Sequence, residues 1–316
     1  MPKKILVIVF KGIGDVLLTT PLVRALKKNI SGSEIYFLTK KPSEKILRFN
    51  PYLSGVFIRG ECGFKEIRAR GIDASIDFMN SSSSGAYALF SGAGLRLAFS
   101  HPLGRIFHNL LVPKSGQMQY TVYDRLELLK ALGVSHDGIE LDLKFAPENE
   151  AKALEFLKRS GLDPVRAPFV TFDITSPRQH RRLAPEKFAA MADLITENFG
   201  AKALFLAGPD ETDCVASALS LAKKKHILCA DFDLLDLAAL IRRAALHVGL
   251  SSAPMHIAVS QGTPTFTVYS PKDSPQSWGP PAARHAGLQA DLETLSTPVI
   301  YEKLAAHLRI TLGTIK

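Results

Sequence analysis

The chain has 316 residues, 46% of them hydrophobic and 22% charged. That balance buries a core and excludes a disordered, collagen-like or coiled-coil protein, and the length suits two domains of about 150 residues. Net charge is +9 and sits in residues 1–70, with 14 Lys and Arg against 5 Asp and Glu; the rest balances at 25 and 25. Such a basic region is either a solvated surface or a face for an anionic partner, and the sparse aromatics among these cations exclude nucleic acid.

No apolar stretch approaches the roughly 18 residues of a membrane span. The apolar run Ile5 to Phe10 is too short and wrongly flanked for a signal peptide, so a cytoplasmic protein is expected. Three scattered cysteines, Cys62, Cys214 and Cys229, form neither a disulfide framework nor a metal-ligand spacing.

In chain order, strands are predicted at 4–9, 34–38, 56–58, 74–78 and 95–99, with helices at 15–28, 43–49, 64–70 and 83–91 between them. A helix over 120–132 carries Val122, Leu126, Leu129 and Leu132 on one stripe and stops at Gly133. A further helix runs from 148 to 160, and Asp163-Pro164 with Ala167-Pro168 marks a linker. The alternation then restarts. Strands at 169–172, 203–206, 226–228, 246–248 and 265–269 alternate with helices at 185–199, 211–222, 233–243 and 254–261, and a last helix spans 298–311. Apolar strands alternating with helices predict parallel sheets covered on both faces, hence two doubly wound α/β domains with a cleft between them.

Three turns carry candidate chemistry. Lys11-Gly12-Ile13-Gly14-Asp15 follows the first strand, where open α/β sheets bind ligands. The third glycine of a dinucleotide fingerprint is replaced by Leu17, so NAD is not expected. Asp15 reads equally as a functional acid or as a carboxylate favoured by the helix macrodipole. Thr175-Ser176-Pro177-Arg178-Gln179-His180-Arg181-Arg182 joins hydroxyls to guanidinium groups and suits a diphosphate, or is a solvated basic loop. Ser251-Ser252-Ala253-Pro254-Met255-His256 opens a helix with small residues and proline, a plausible anion-binding terminus, with His256 read as structural. Asp231-Phe232-Asp233 imitates a metal-binding acidic pair, but Asp233 with Asp236 fits a helix start better. The serines at 81–84 read as another helix start.

These turns, in this order on two similar halves, resemble glycosyltransferase family 9, the heptosyltransferases of lipopolysaccharide core assembly. The resemblance covers nearly the whole chain: Lys4 to Ile8, Gly14 to Leu18 and Pro21-Leu22; Asp73 to Phe99; Asp124-Arg125 with Leu128-Leu129 and Leu132-Gly133; and Leu237 to Gly262. Gly262-Thr263-Pro264, Tyr269 to Asp273 and Trp278-Gly279-Pro280 complete it.

The resemblance implies a GT-B fold of two Rossmann-like domains. Residues 1–150 would bind the acceptor and 151–297 the nucleotide-sugar, with the helix at 298–316 packing back on the first domain. It implies inversion at the anomeric carbon with no essential metal and no cofactor, the nucleotide-sugar being a substrate. Asp15 matches the family's proposed general base, with Lys11, Gly12 and Gly14 on the acceptor side. Arg181 falls where the family has a phosphate-gripping Lys, beside Arg182. Ser252 through His256 match the turn whose amides cradle the diphosphate, and Thr175, Ser176 and Ser251 complete the donor set.

Three positions depart from the family: Ser251 stands for Asp, Ala253 for Gly and Leu183 for Trp. The first puts heptose specificity in question, and the second narrows the backbone of the cradle. The expected function is transfer of a sugar, heptose from ADP-heptose by family default, to a phosphorylated glycolipid. The enzyme would be a monomer, peripheral on the anionic inner face of the cytoplasmic membrane. The rival reading is a non-catalytic relative that binds a nucleotide-sugar or glycolipid. The catalytic reading pictures a lone carboxylate facing cationic side chains across the cleft.

Overall fold

The structure, a computed structural model, describes residues 1–163 and 167–312, the side chain of Leu312 excepted. Residues 164–166, in the predicted linker, and 313–316, at the end of the segment expected to pack back, lie outside the described residues. The chain divides into two compact units, Met1–Lys144 and Phe145–Lys316.

In the first unit the elements are β1 (Lys4–Ile8), α1 (Ile13–Leu17), α2 (Thr20–Asn29), β2 (Glu34–Thr39), β3 (Gly55–Ile58) and α3 (Phe64–Arg68). They continue with β4 (Ala74–Asp77), α4 (Ser82–Phe90), β5 (Leu95–Phe99), α5 (Gly104–Phe107), β6 (Leu110–Val112) and α6 (Thr121–Lys130). All six strands are parallel, in the order β3-β2-β1-β4-β5-β6. β1 lies at the centre, with Leu6 beside Tyr36 on one flank and Ser75 on the other. Its residues Ile5 to Ile8 are fully buried, which is why it reads as an unbroken apolar run rather than an alternating one.

The second unit repeats the plan. It holds α7 (Pro147–Arg159), β7 (Phe169–Asp173), α8 (Pro185–Phe199), β8 (Lys202–Leu206), α9 (Thr212–Ser220), β9 (Ile227–Cys229) and α10 (Leu234–Ile241). After these come β10 (Leu246–Leu250), α11 (Ala253–Ser260), β11 (Thr265–Tyr269), α12 (Pro275–Trp278), β12 (His285–Gln289) and α13 (Thr297–Leu312). The parallel order β12-β11-β10-β7-β8-β9 is the first sheet's order again, counted from each unit's own first strand. In both sheets chain order reverses beside the first strand, between β1 and β4 and between β7 and β10. That reversal opens a crevice at the carboxyl ends of the strands, where ligands bind in open α/β sheets.

Several elements differ from expectation. The helix predicted over 15–28 is two helices, because Pro21 has no N–H to continue the ladder. Thr20 Oγ1 donates to the Leu17 carbonyl at 2.7 Å and Thr19 Oγ1 to the Asp15 carbonyl at 2.9 Å, closing the first helix. The predicted helix at 43–49 is a 3₁₀ turn over Ser43–Leu47. β6 and β12 were not foreseen; both are partly buried edge strands, β6 only three residues long and β12 running from His285 to Gln289 with Ala286 and Leu288 as its apolar side chains. The short helices α5 and α12 were also missed. α13 buries Ile300, Leu304 and Leu308 in the second unit's core, with Phe266 and Leu292. The serine run does start a helix, Ser81 and Ser84 forming a reciprocal capping box on α4.

Candidate functional site

In the first unit the turns after β1 and β4 meet at the point of reversal. Phe10 N–H donates to Met79 Sδ at 3.2 Å, and Met79 N–H to Asp77 Oδ1 at 2.8 Å, pinning the two turns together. Gly12 has ordinary extended backbone, φ −71°, and a Cβ there would meet nothing within 4 Å. Its glycine therefore leaves room above the turn rather than relieving the chain.

Asp15 stands in the first turn of α1 with its side chain 17% exposed. It is not the lone carboxylate expected from sequence. Arg125, buried on α6, donates from Nη2 to Asp15 Oδ1 at 2.8 Å and from Nη1 to Thr19 Oγ1. Its guanidinium also lies 5.3 Å from the Phe78 ring centroid. Burial lowers the Arg125 pKa, and Asp15 opposes that shift by attraction and hydrogen bonding. Lys11 Nζ lies 3.9 Å from the same Oδ1, while Oδ2 accepts no hydrogen bond among the described residues. Arg125 thus fixes the orientation of the carboxylate and leaves one oxygen for another donor.

Arg59 completes this mouth. Its guanidinium sits 4.9 Å from the Phe10 ring centroid, and Nη2 donates to Ser83 Oγ at 3.0 Å. Asn80, between the turns, has φ 51°, a conformation that costs energy for any residue with a Cβ. Sequence reading gave Arg59, Asn80 and Arg125 no role. For Arg125 a signal existed: it falls on the buried stripe of α6 beside Val122, Leu126 and Leu129, where a cation requires a partner.

In the second unit the turns after β7 and β10 meet likewise. Pro254 stands in the first turn of α11, and Ser252 is the N-cap residue. The Ser252 hydroxyl does not cap the helix; it donates to Asp173 Oδ2, leaving the first-turn amides without a capping side chain. Asp173, at the end of β7, was missed by sequence reading. Burial is the main cause that pushes its pKa up, to about 7, against the lowering effect of the Ser252 hydrogen bond.

Of the expected donor residues, Met255 and His256 have buried side chains, His256 lying edge-on to Trp278 at 6.2 Å between centroids. Only their backbone amides can serve a ligand. Ser176 is also buried; its Oγ accepts from Arg178 N–H at 3.2 Å and its carbonyl from Arg182 Nε at 2.8 Å. Thr175 is half-buried in the same turn.

Arg181 is not a free phosphate hook. Nε and Nη2 grip Asp273 in a bidentate pair, and Nη1 donates to the Ser251 carbonyl. It clamps the turns after β7, β10 and β11 together, while Arg182 stays exposed with its terminal nitrogens unengaged among the described residues. Ala253 occupies the first helical position of α11, where right-handed backbone accommodates a Cβ. Leu183, which stands for the family's Trp, is buried in the second unit's core.

Asp233 caps α10, accepting from the N–H groups of Leu235 and Asp236, so the acidic pair serves a helix start. Among the described residues no cluster of three His, Cys, Asp or Glu could hold a metal ion.

Two Rossmann-type sheets, each with polar turns gathered at its reversal point, define a two-unit protein of the α/β class. The sequence model of glycosyltransferase family 9 (heptosyltransferase) matches residues 63–304, and the chain belongs to that family. It is 25% identical over 284 residues to lipopolysaccharide heptosyltransferase 3 of Escherichia coli K12, covering 82% of this chain and 80% of that one. The glycosyltransferase family 9 structure from Veillonella parvula superposes with a TM-score of 0.87 at 25% identity, over 97% of both chains. The structure of E. coli heptosyltransferase WaaC with ADP superposes with a TM-score of 0.75 at 18% identity, over 96% and 99%. The fold is GT-B, and the chain is a heptosyltransferase-like glycosyltransferase.

Proposed function

We propose that the protein transfers heptose from ADP-heptose to an inner-core lipopolysaccharide acceptor, with inversion at the anomeric carbon. Asp15, with Oδ1 anchored by Arg125 and Oδ2 open, is the observation that carries this reading. The acceptor lies over Lys11, Gly12 and Gly14. As its hydroxyl oxygen bonds to the anomeric carbon, the proton passes to Asp15 Oδ2, and the carbon–oxygen bond to the diphosphate breaks on the opposite face.

ADP leaves carrying the negative charge. In the second unit the first-turn amides of α11, the Thr175–Ser176 turn and Arg182 receive the diphosphate, while Arg181 positions the Ser251 carbonyl and the turn that holds it. Support for the nucleotide comes from family membership and from the relative solved with ADP. No helix among the described residues is long and apolar enough to cross a membrane. The proposed enzyme works in the cytoplasm, peripheral on the membrane that carries its acceptor.

A positioned base contributes roughly 10²–10⁴-fold. Asp15→Asn lowers turnover by about that factor while ADP affinity, measured by calorimetry, changes less than about twofold. Full activity in the Asn variant would reduce Asp15 to an anchor for Arg125. The existing ion pair is the one feature that favours the rival, a binding protein without turnover. ADP release on adding acceptor distinguishes the two.

A further inference from the structure

The excess positive charge of the first 70 residues is not spread evenly over the first unit. Arg24 is buried among Asp137, Glu140 and Asp142, and Lys28 pairs with Asp137 at 2.6 Å. Lys4 pairs with Glu34, and Lys41 with Glu61. On the sheet face covered by α3, α4 and α5 the cations Lys65, Arg68 and Arg105 are exposed and unpaired among the described residues, as are the exposed Lys3, Lys40, Lys45 and Arg48 elsewhere in the unit.

The same face carries unpartnered apolar groups. α4, Ser82–Phe90, contains no charged residue and ends with Leu89 and Phe90 exposed by 37% and 49%. Phe64, on α3, packs at a tilt against Phe90, 5.1 Å between centroids, and is itself 40% exposed. On the other flank Phe107 of α5 fits against Gly85, so closely that a Cβ at Gly85 would lie 2.5 Å from its ring. α5 is thereby held beside α4, and Leu103 and Ile106 are exposed by 54% and 63%. Exposed large apolar side chains on three adjacent helices, with unpaired cations on the first and last of them, mark a contact surface rather than ordinary solvated exterior.

We infer that this α3–α4–α5 face docks the first unit on an anionic lipid surface, with Phe90, Leu103 and Ile106 entering the headgroup boundary and Lys65, Arg68 and Arg105 meeting lipid phosphates. The cations select the occupant: a second copy of this chain would bring the same positive charges against itself. The combination of apolar insertion and basic flanks is what interfacial attachment requires. The inference rests on the proposed lipid-borne acceptor for its purpose, but not for its test.

The test uses the full chain and vesicles that contain no acceptor. The protein is expected to co-sediment with vesicles of phosphatidylcholine and phosphatidylglycerol, and hardly with phosphatidylcholine alone. Phe90→Ser and Ile106→Ser each lower partitioning by about tenfold. The triple charge reversal of Lys65, Arg68 and Arg105 to Glu abolishes it, and wild-type binding weakens with salt. All variants retain the wild-type circular dichroism spectrum and turnover on a lipid-free acceptor oligosaccharide. Equal binding to neutral vesicles, or wild-type partitioning by these variants, overturns the inference. So does a solution dimer that the same substitutions dissociate. Loss of turnover in the wild type with vesicle binding intact would strike the proposed reaction instead.

Discussion

The two reversal points are built on the same strand order, yet the groups buried beneath them are of opposite kind, a base and an acid. Under the turn after β1 lies a cation, Arg125, which holds the acid Asp15 with one oxygen outward. Under the turn after β10 lies an acid, Asp173, which draws the Ser252 hydroxyl inward and leaves the amides of α11 uncapped. One frame therefore presents a carboxylate and the other a set of N–H donors. What sits beneath a turn, not the turn's own fold, decides whether it takes a proton or an anion.

The comparison breaks most severely at Asp15, where the Asn variant should lose turnover on the scale given above. Arg125→Met tests the support beneath it. It removes the buried cation but leaves Asp15, which keeps some water contact, so the stability loss is about 2–3 kcal/mol by urea denaturation. Turnover should fall further than ADP affinity, since the carboxylate loses its orientation. Unchanged stability would mean that the pair contributes nothing to holding α6 against α1.

Asp173 tests the other side through pH. Its folded-state pKa is raised to about 7 from an ordinary 3.8, so the folded protein keeps a proton that the unfolded chain releases. Stability from this group is therefore present at low pH and is lost as pH rises from 3.8 to about 7. Ionisation above that point also sets negative charge beside the diphosphate cradle. The ratio of wild-type to Asp173→Asn affinity for ADP should fall as pH rises through about 7, measured by calorimetry across that range. A ratio independent of pH would show that Asp173 does not sense the ligand. The smallest effect is expected at Ala253→Gly. The helix loses about 0.5 kcal/mol and donor affinity does not improve, because the cradle already tolerates the Cβ. A gain in donor affinity would mean that the Cβ obstructs the diphosphate after all.

Much of this frame was legible in the residues. Ten of the strands, the three chemical turns and the start of α10 at Asp233 follow from apolar runs, glycine and proline placement and capping residues, all of them local signals. The edge strands β6 and β12 escaped because β6 is only three residues long and β12 holds just Ala286 and Leu288 as apolar side chains. The Asp273 partner of Arg181 was equally hidden from sequence. A basic residue in a hydroxyl-rich turn looks the same in sequence whether its guanidinium meets a ligand or Asp273.

The sequence by itself determined that two parallel sheets form and that polar turns follow β1, β7 and β10. Burial on both faces and helix capping act within a few residues, so they leave a local trace. Only the tertiary structure decided which turns meet and what lies beneath them. Arg125 reaches Asp15 across 110 residues, and Arg181 reaches Asp273 across 92. Such pairings depend on strand order and on the depth at which a charge is left without water, and neither is written in the spacing of residues along the chain.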